Sequence, residues 1–116
     1  MKDVSLKLTP NSYRAEIKEF EFQIKGTYFN RVWSKYSKDV EIGDLLNYYR
    51  EEHNEFDPYA ILISKDESAL GYIPREYSKL IASEIDIEDS IYKVIVNNII
   101  PKENHNEISV QMIKIE

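Results

Sequence analysis

Short runs of β-branched and aromatic residues, each closed off by glycine, proline or polar turns, constrain this chain more than any other feature. In the first run Phe20, Phe22 and Ile24 alternate with Glu21, Gln23 and Lys25, the period of a half-buried strand, and Gly26 ends or bends it. Residues 45–51 lie between Gly43-Asp44 and the turn-forming stretch from Asn54 to Pro58, and read as another strand. Residues 60–64 and 69–73 are joined by a polar turn and read as a hairpin that Pro74 closes. Residues 91–100 and 107–115 form a last pair of β runs around the turn-rich segment from Pro101 to Asn106.

One helix is legible among these strands. Pro74 suits the first turn of a helix, Glu76 follows near the positive end of its dipole, and Tyr77, Leu80, Ile81 and Ile85 recur at helical spacing, which predicts a helix over 74–85. Several strands, one clear helix after the central hairpin and a final hairpin give a mostly β fold, a small closed or partly open barrel rather than a parallel sheet. A chain of 116 residues suits one core. We place the domain at 20–116 and read residues 1–19, with Val4, Leu6 and Leu8 alternating before Pro10, as an N-terminal arm or an added edge strand.

Composition removes whole classes of function. No cysteine is present, which excludes disulfides, a thiol nucleophile and a thiolate metal site. No apolar run approaches the ~18 residues of a membrane span. The polar start of the chain has no secretory pattern, so the expected location is the cytoplasm, with no membrane partner. The net charge of −6 means that any site for a polyanion must be local.

Such a locality exists at residues 27–38, where Tyr28, Phe29, Trp33 and Tyr36 are interleaved with Arg31, Lys35 and Lys38. Flat rings stack on unpaired bases at roughly 1–3 kcal/mol each, and cations neutralise phosphates. A loop whose rings cap the core while its lysines stay solvated has the same composition. A second stretch, from Arg50 through Asn54 and Asp57 to Ile61, leaves one strand and enters another; the short side chains of Asn54 and Asp57 suit that turn by bonding nearby backbone amides. In a third, Gly71 lets another chain approach, and the helix start at Pro74 offers free backbone donors with Arg75 beside them.

Together these stretches resemble the HIRAN domain, found in helicase-like transcription factors and as small free-standing bacterial proteins. Gly26-Thr27-Tyr28-Phe29 matches the aromatic pair that follows a strand-ending glycine, Arg50-Glu51-Glu52-His53-Asn54-Glu55-Phe56-Asp57-Pro58-Tyr59-Ala60-Ile61 matches the central motif, and Gly71-Tyr72-Ile73-Pro74-Arg75 matches the later element intact. The resemblance covers about residues 20–115. It implies a modified OB-like barrel that captures single-stranded DNA by a free 3′ end. On that analogy Tyr28 and Phe29 stack on terminal bases, Asp57 accepts a hydrogen bond from the 3′-hydroxyl with help from the backbone at Phe56, and Asn54 supports the turn. Tyr72 and Arg75 hold phosphates. Arg31, beside the rings, joins the candidate phosphate contacts on its charge alone. The chain departs from the family pattern at Thr27, where a basic residue is usual, and at Glu52 and Glu55, where prolines are usual.

Enzyme readings fare worse. His53 and Asp57 are four apart, but the other histidine, His105, sits in a separate turn, so no metal site or cofactor is expected. The acids at Glu51-Glu52 and at Asp86, Glu88 and Asp89 read as solvated turns rather than acid/base pairs. No glycine-rich phosphate loop exists. The expected function is therefore a non-enzymatic nucleic-acid-binding module with single-stranded DNA as partner. The alternative is an adaptor on the same fold that has lost DNA binding and meets a protein such as a helicase or nuclease.

Overall fold

The computed structural model describes residues 19–115. The arm or edge strand expected over residues 1–19 lies outside them, Glu19 apart. Strand β1 (Glu19–Gln23) buries Phe20 and Phe22 and turns Glu19 and Glu21 to solvent, as a period of two requires. Strands β2 (Leu45–Arg50), β3 (Ile61–Lys65), β4 (Ser68–Tyr72), β5 (Ile91–Pro101) and β6 (Asn106–Ile115) coincide with the remaining runs to within the usual fraying of strand ends. Asp66, at a φ of 53°, makes the tight turn between β3 and β4.

The six strands form one antiparallel sheet in the order β1-β6-β5-β2-β3-β4. This sheet curls until its two edges meet. Lys25, just past β1, and Tyr72, at the end of β4, exchange backbone hydrogen bonds of 2.8 Å in both directions. Gly71 makes the closure possible: a Cβ there would lie 2.4 Å from the Lys25 carbonyl oxygen and 2.7 Å from the Ile24 side chain, and its φ is 154°. The approaching chain for which the sequence reserves Gly71 is thus the protein's own first strand.

Between β1 and β2 the structure departs from the sequence reading. That reading assigns a helix only after the central hairpin, yet a 3₁₀ turn at Thr27–Phe29 leads into helix α1 (Arg31–Ser37). The local cause is Asn30, whose side chain accepts the backbone N–H groups of Val32 (2.9 Å) and Trp33 (3.1 Å) as an N-cap. Helix α1 packs against β4, and buried Ser37 ties it to the final hairpin by accepting the Asn106 N–H at 2.9 Å.

Helix α2 (Arg75–Glu88) begins where the sequence places it, runs past Ile85 and ends at Asp89, whose φ of 54° is left-handed. Its buried face, Ile81 and Ala82, meets a core of Phe20, Phe22, Ile61, Ile63, Val94, Val110 and Met112. Each such side chain contributes about 1.5–3 kcal/mol by leaving water. Tyr77 sets its ring 5.9 Å from Phe20 and 5.8 Å from Phe22. At the far end of α2, Glu84 accepts the Tyr92 hydroxyl proton and lies 3.6 Å from the Lys114 ammonium. No helix among the described residues is long and apolar enough to cross a membrane.

Candidate functional site

The loop from β2 to β3 is built on successive side-chain hydrogen bonds to its own backbone. Asn54 Oδ1 accepts the N–H groups of Phe56 (2.8 Å) and Asp57 (3.0 Å), and Asp57 Oδ1 accepts that of Tyr59 (2.9 Å). These are Asx turns, in which a short side chain stands in for a backbone acceptor. Glu51, which the sequence reading leaves as surface, organises the loop from behind. Its Oε1 accepts both the Asn54 amide at 3.0 Å and the Tyr72 hydroxyl at 2.8 Å, so the loop is tied to the closing strand β4. Only the fold reveals this, because Tyr72 reaches Glu51 across the barrel mouth.

Those bonds leave Asp57 Oδ2 outside the turn, and Asp57 lines a cavity of about 490 Å³ with Phe29, Asn54, Phe56, Tyr72 and Arg75 together with Lys25, Gly26, Ala60, Ile73 and Pro74. Asp57 is its one acid. The Arg75 guanidinium stands over the rim, donating to the Phe56 carbonyl at 3.1 Å, with Nε 3.8 Å from Asp57 Oδ2. Its side chain is 76% exposed, so the pair is loose and most of the guanidinium's N–H donors face solvent. Tyr72 is different. Burial, and then its bond to Glu51, pushes its hydroxyl up to about 12, so it stays a neutral phenol with its proton already donated. A phosphate contact from Tyr72 therefore requires that bond to be surrendered, whereas the ring, edge-on to Trp33 at 5.7 Å, is held firmly as a wall.

Tyr28 and Phe29 stand at the cavity mouth, 60% and 79% exposed, with ring centroids 4.1 Å apart. His105, on the turn before β6, brings a further ring within 5.6 Å of Tyr28. The rings lie beside the Asp57 cavity, although only Phe29 lines it. Tyr28 and Arg31 line a second groove of about 740 Å³ that also takes in Phe29, Ser34, Lys35, Lys38, Glu103 and Asn104. Across both concavities five cations (Lys25, Arg31, Lys35, Lys38 and Arg75) face two acids (Asp57 and Glu103), although the chain as a whole carries −6.

The departures from the family pattern find physical places. Thr27 is 4% exposed and points inward, donating to the Leu70 carbonyl at 2.7 Å. It is a strut of the closed barrel. Glu52 and Glu55 are exposed and line neither concavity, so solvent and salt screen them from a bound ligand. Among the described residues no group of three or more His, Cys, Asp or Glu is placed to hold a metal ion.

The model of the HIRAN domain matches residues 17–113. The chain belongs to the HIRAN family. HIRAN domains bind DNA and are not a catalytic family. Two solved structures share the fold. A protein from Lactobacillus plantarum superimposes with a TM-score of 0.67 at 19% identity, over 85% of this chain and 94% of that one. The HIRAN domain of human HLTF gives 0.66 at 15% identity, over 84% and 74%. No curated protein sequence matches the chain. Against this HIRAN frame, the residues that sequence reasoning missed are Glu51, Lys25 and His105. For Glu51 the one available signal was its place in the central motif; for the other two there was none.

Proposed function

We propose that this HIRAN domain is a non-enzymatic module that captures single-stranded DNA at a free 3′-hydroxyl. The observation that carries the reading is a single carboxylate, Asp57, in a cavity it shares with the rings of Phe29, Phe56 and Tyr72 and the cations Lys25 and Arg75, its Oδ2 outside the hydrogen bonds of the turn and met only loosely by Arg75. A cleft made for phosphates alone gains nothing from an acid. An acid there discriminates, because a carboxylate accepts a hydrogen bond from a hydroxyl and repels a terminal phosphate. The Phe56 carbonyl accepts from Arg75 and so holds the guanidinium on the rim beside Asp57. Phe29 and Tyr28 offer faces to the last bases, and Arg75, on the cavity rim, reaches the phosphate between them.

The test is a fluorescence-anisotropy titration with two labelled strands, one ending in a 3′-hydroxyl and one in a 3′-phosphate. The hydroxyl strand should bind roughly tenfold or more tightly, since losing a hydrogen bond to a charged group costs about 1.5–3 kcal/mol. Asp57→Asn should shrink that preference, because the amide no longer repels the phosphate. Equal affinity for the two ends sinks 3′-end capture, and no binding at low salt puts the protein-adaptor reading ahead.

A further inference from the structure

The cavity around Asp57 ends at Phe29, yet the surface does not. Phe29 lines both the cavity and the second groove, and Tyr28 stacks on it from the groove side. Along that groove lie Arg31 and Lys35, both exposed and both without an ion pair among the described residues. They are four apart on α1, so they share one helix face with Cβ atoms about 5–6 Å apart, a separation suited to neighbouring phosphates of an extended strand. Lys38 plays another part: its ammonium donates to the Lys102 and Glu103 carbonyls at 3.0 and 3.4 Å, fixing the far wall of the groove to α1. A third concavity on the other side of the rings passes His105, with Lys25 as its one lysine and Glu107 opposing it. The cation balance favours the α1 side.

We infer that the α1 groove is a second subsite for nucleic acid, continuous with the end-binding cavity, in which Arg31 and Lys35 bind the phosphates of the nucleotides on the 5′ side of the terminal pair. This rests on the end-capture reading above and extends it. The domain then takes a run of about four nucleotides, the lower end of what an OB-type barrel holds, rather than the terminal pair alone.

Single strands of two to eight nucleotides, all with a free 3′-hydroxyl, would be titrated against the full chain and against the double variant Arg31→Ala/Lys35→Ala. Both residues are exposed, and circular dichroism would confirm that the variant keeps the fold. Affinity of the unaltered chain should rise to about four nucleotides and then level off. The double variant should bind the dinucleotide within roughly twofold of the unaltered chain, lose roughly tenfold on the longer strands, and show a salt slope shallower by about 1.4, or 0.7 for each phosphate contact removed. Affinity that does not grow beyond the dinucleotide, or an unchanged salt slope in the double variant, overturns the second subsite and leaves end capture standing. Loss of the length dependence in His105→Ala but not in the double variant also overturns it, by sending the strand along the other side of the rings. Failure of every strand to bind overturns both readings.

Discussion

Two ends of the barrel handle the same residue types in opposite ways. At the α2 end Phe20, Phe22, Tyr77 and Tyr92 pack ring against ring inside the core, and Lys114 is sheltered beside Glu84. At the mouth Tyr28, Phe29 and Phe56 stand in water, and Arg31 and Lys35 have no charged partner among the described residues. Burial of rings and pairing of charges is what folding selects where nothing else is required. The mouth forgoes both over a contiguous surface. Exposed rings beside cations without a charged partner leave stacking faces and charge available to a ligand, which is what the proposed capture of single-stranded DNA requires.

The contrast is broken most directly by truncating one ring at each end. Phe22→Ala should cost about 3–5 kcal/mol, since it deletes a buried ring and leaves a cavity between β1 and Tyr77. Phe29→Ala should shift stability by only about 0.5 kcal/mol in either direction, as exposed substitutions do. Urea denaturation of both variants measures it. Comparable losses would mean that the mouth is an ordinary part of the core and would remove the reason for placing a ligand there.

A smaller effect is expected where the two edges of the sheet are joined. Gly71→Ala sets a methyl group against the Lys25 carbonyl oxygen, backbone that cannot swing aside, and should cost roughly 1–3 kcal/mol by overpacking. Because Lys25 and Gly26 lead directly into the ring pair, the same variant should weaken binding of single-stranded DNA as well as folding. A Gly71→Ala protein with unaltered melting temperature would show that the Lys25–Tyr72 bridge does not hold the barrel closed.

How much of this was readable beforehand depends on the range of the interaction. The strands and α2 were legible because their signals are local: alternation in Phe20, Phe22 and Ile24, and Pro74 ahead of residues at helical spacing. Helix α1 was not, although Asn30 is an ordinary cap; Val32, Trp33, Ser34, Tyr36 and Ser37 carry only middling helix propensity, and the ring composition invited a reading as loop. The family pattern located Asn54, Asp57, Tyr72 and Arg75, and the fold brings all of them to one cavity. It marked Thr27 as a departure but carried no information on which way its side chain points, which is fixed by the turn at Gly26 and the approach of β4. The role of Glu51 was hidden for a related reason, its place in the central motif apart: its partner Tyr72 is 21 positions away and meets it only when the sheet curls.

The finest test of the comparison uses the tyrosine–glutamate pair found at each end. Tyr92 bonds Glu84 in the packed end and Tyr72 bonds Glu51 at the mouth; in both, burial and then the glutamate raise the phenol, Tyr92 beyond the usual tyrosine range and Tyr72 up to about 12. A raised phenol favours the protonated folded state. For Tyr72 the contribution to stability is therefore complete below pH 10, the ordinary tyrosine value, and is lost as pH climbs from there to about 12, where the folded form also ionises. Glu51→Gln keeps a hydrogen-bond acceptor for the hydroxyl but removes the charge that opposes phenolate formation, so Tyr72 should titrate at a lower pH than in the unaltered chain while still above pH 10, because burial remains. Phenolate absorbance titrations, each taken as the difference from a matched Tyr72→Phe protein, isolate the one residue. The same substitution leaves Asn54 without a charged partner at its amide, so a small loosening of the loop and a modest loss in 3′-hydroxyl preference should accompany the shift. A Tyr72 titration that Glu51→Gln does not move would mean that burial alone raises the phenol, and that Glu51 does not couple the closing strand to the loop that carries Asp57.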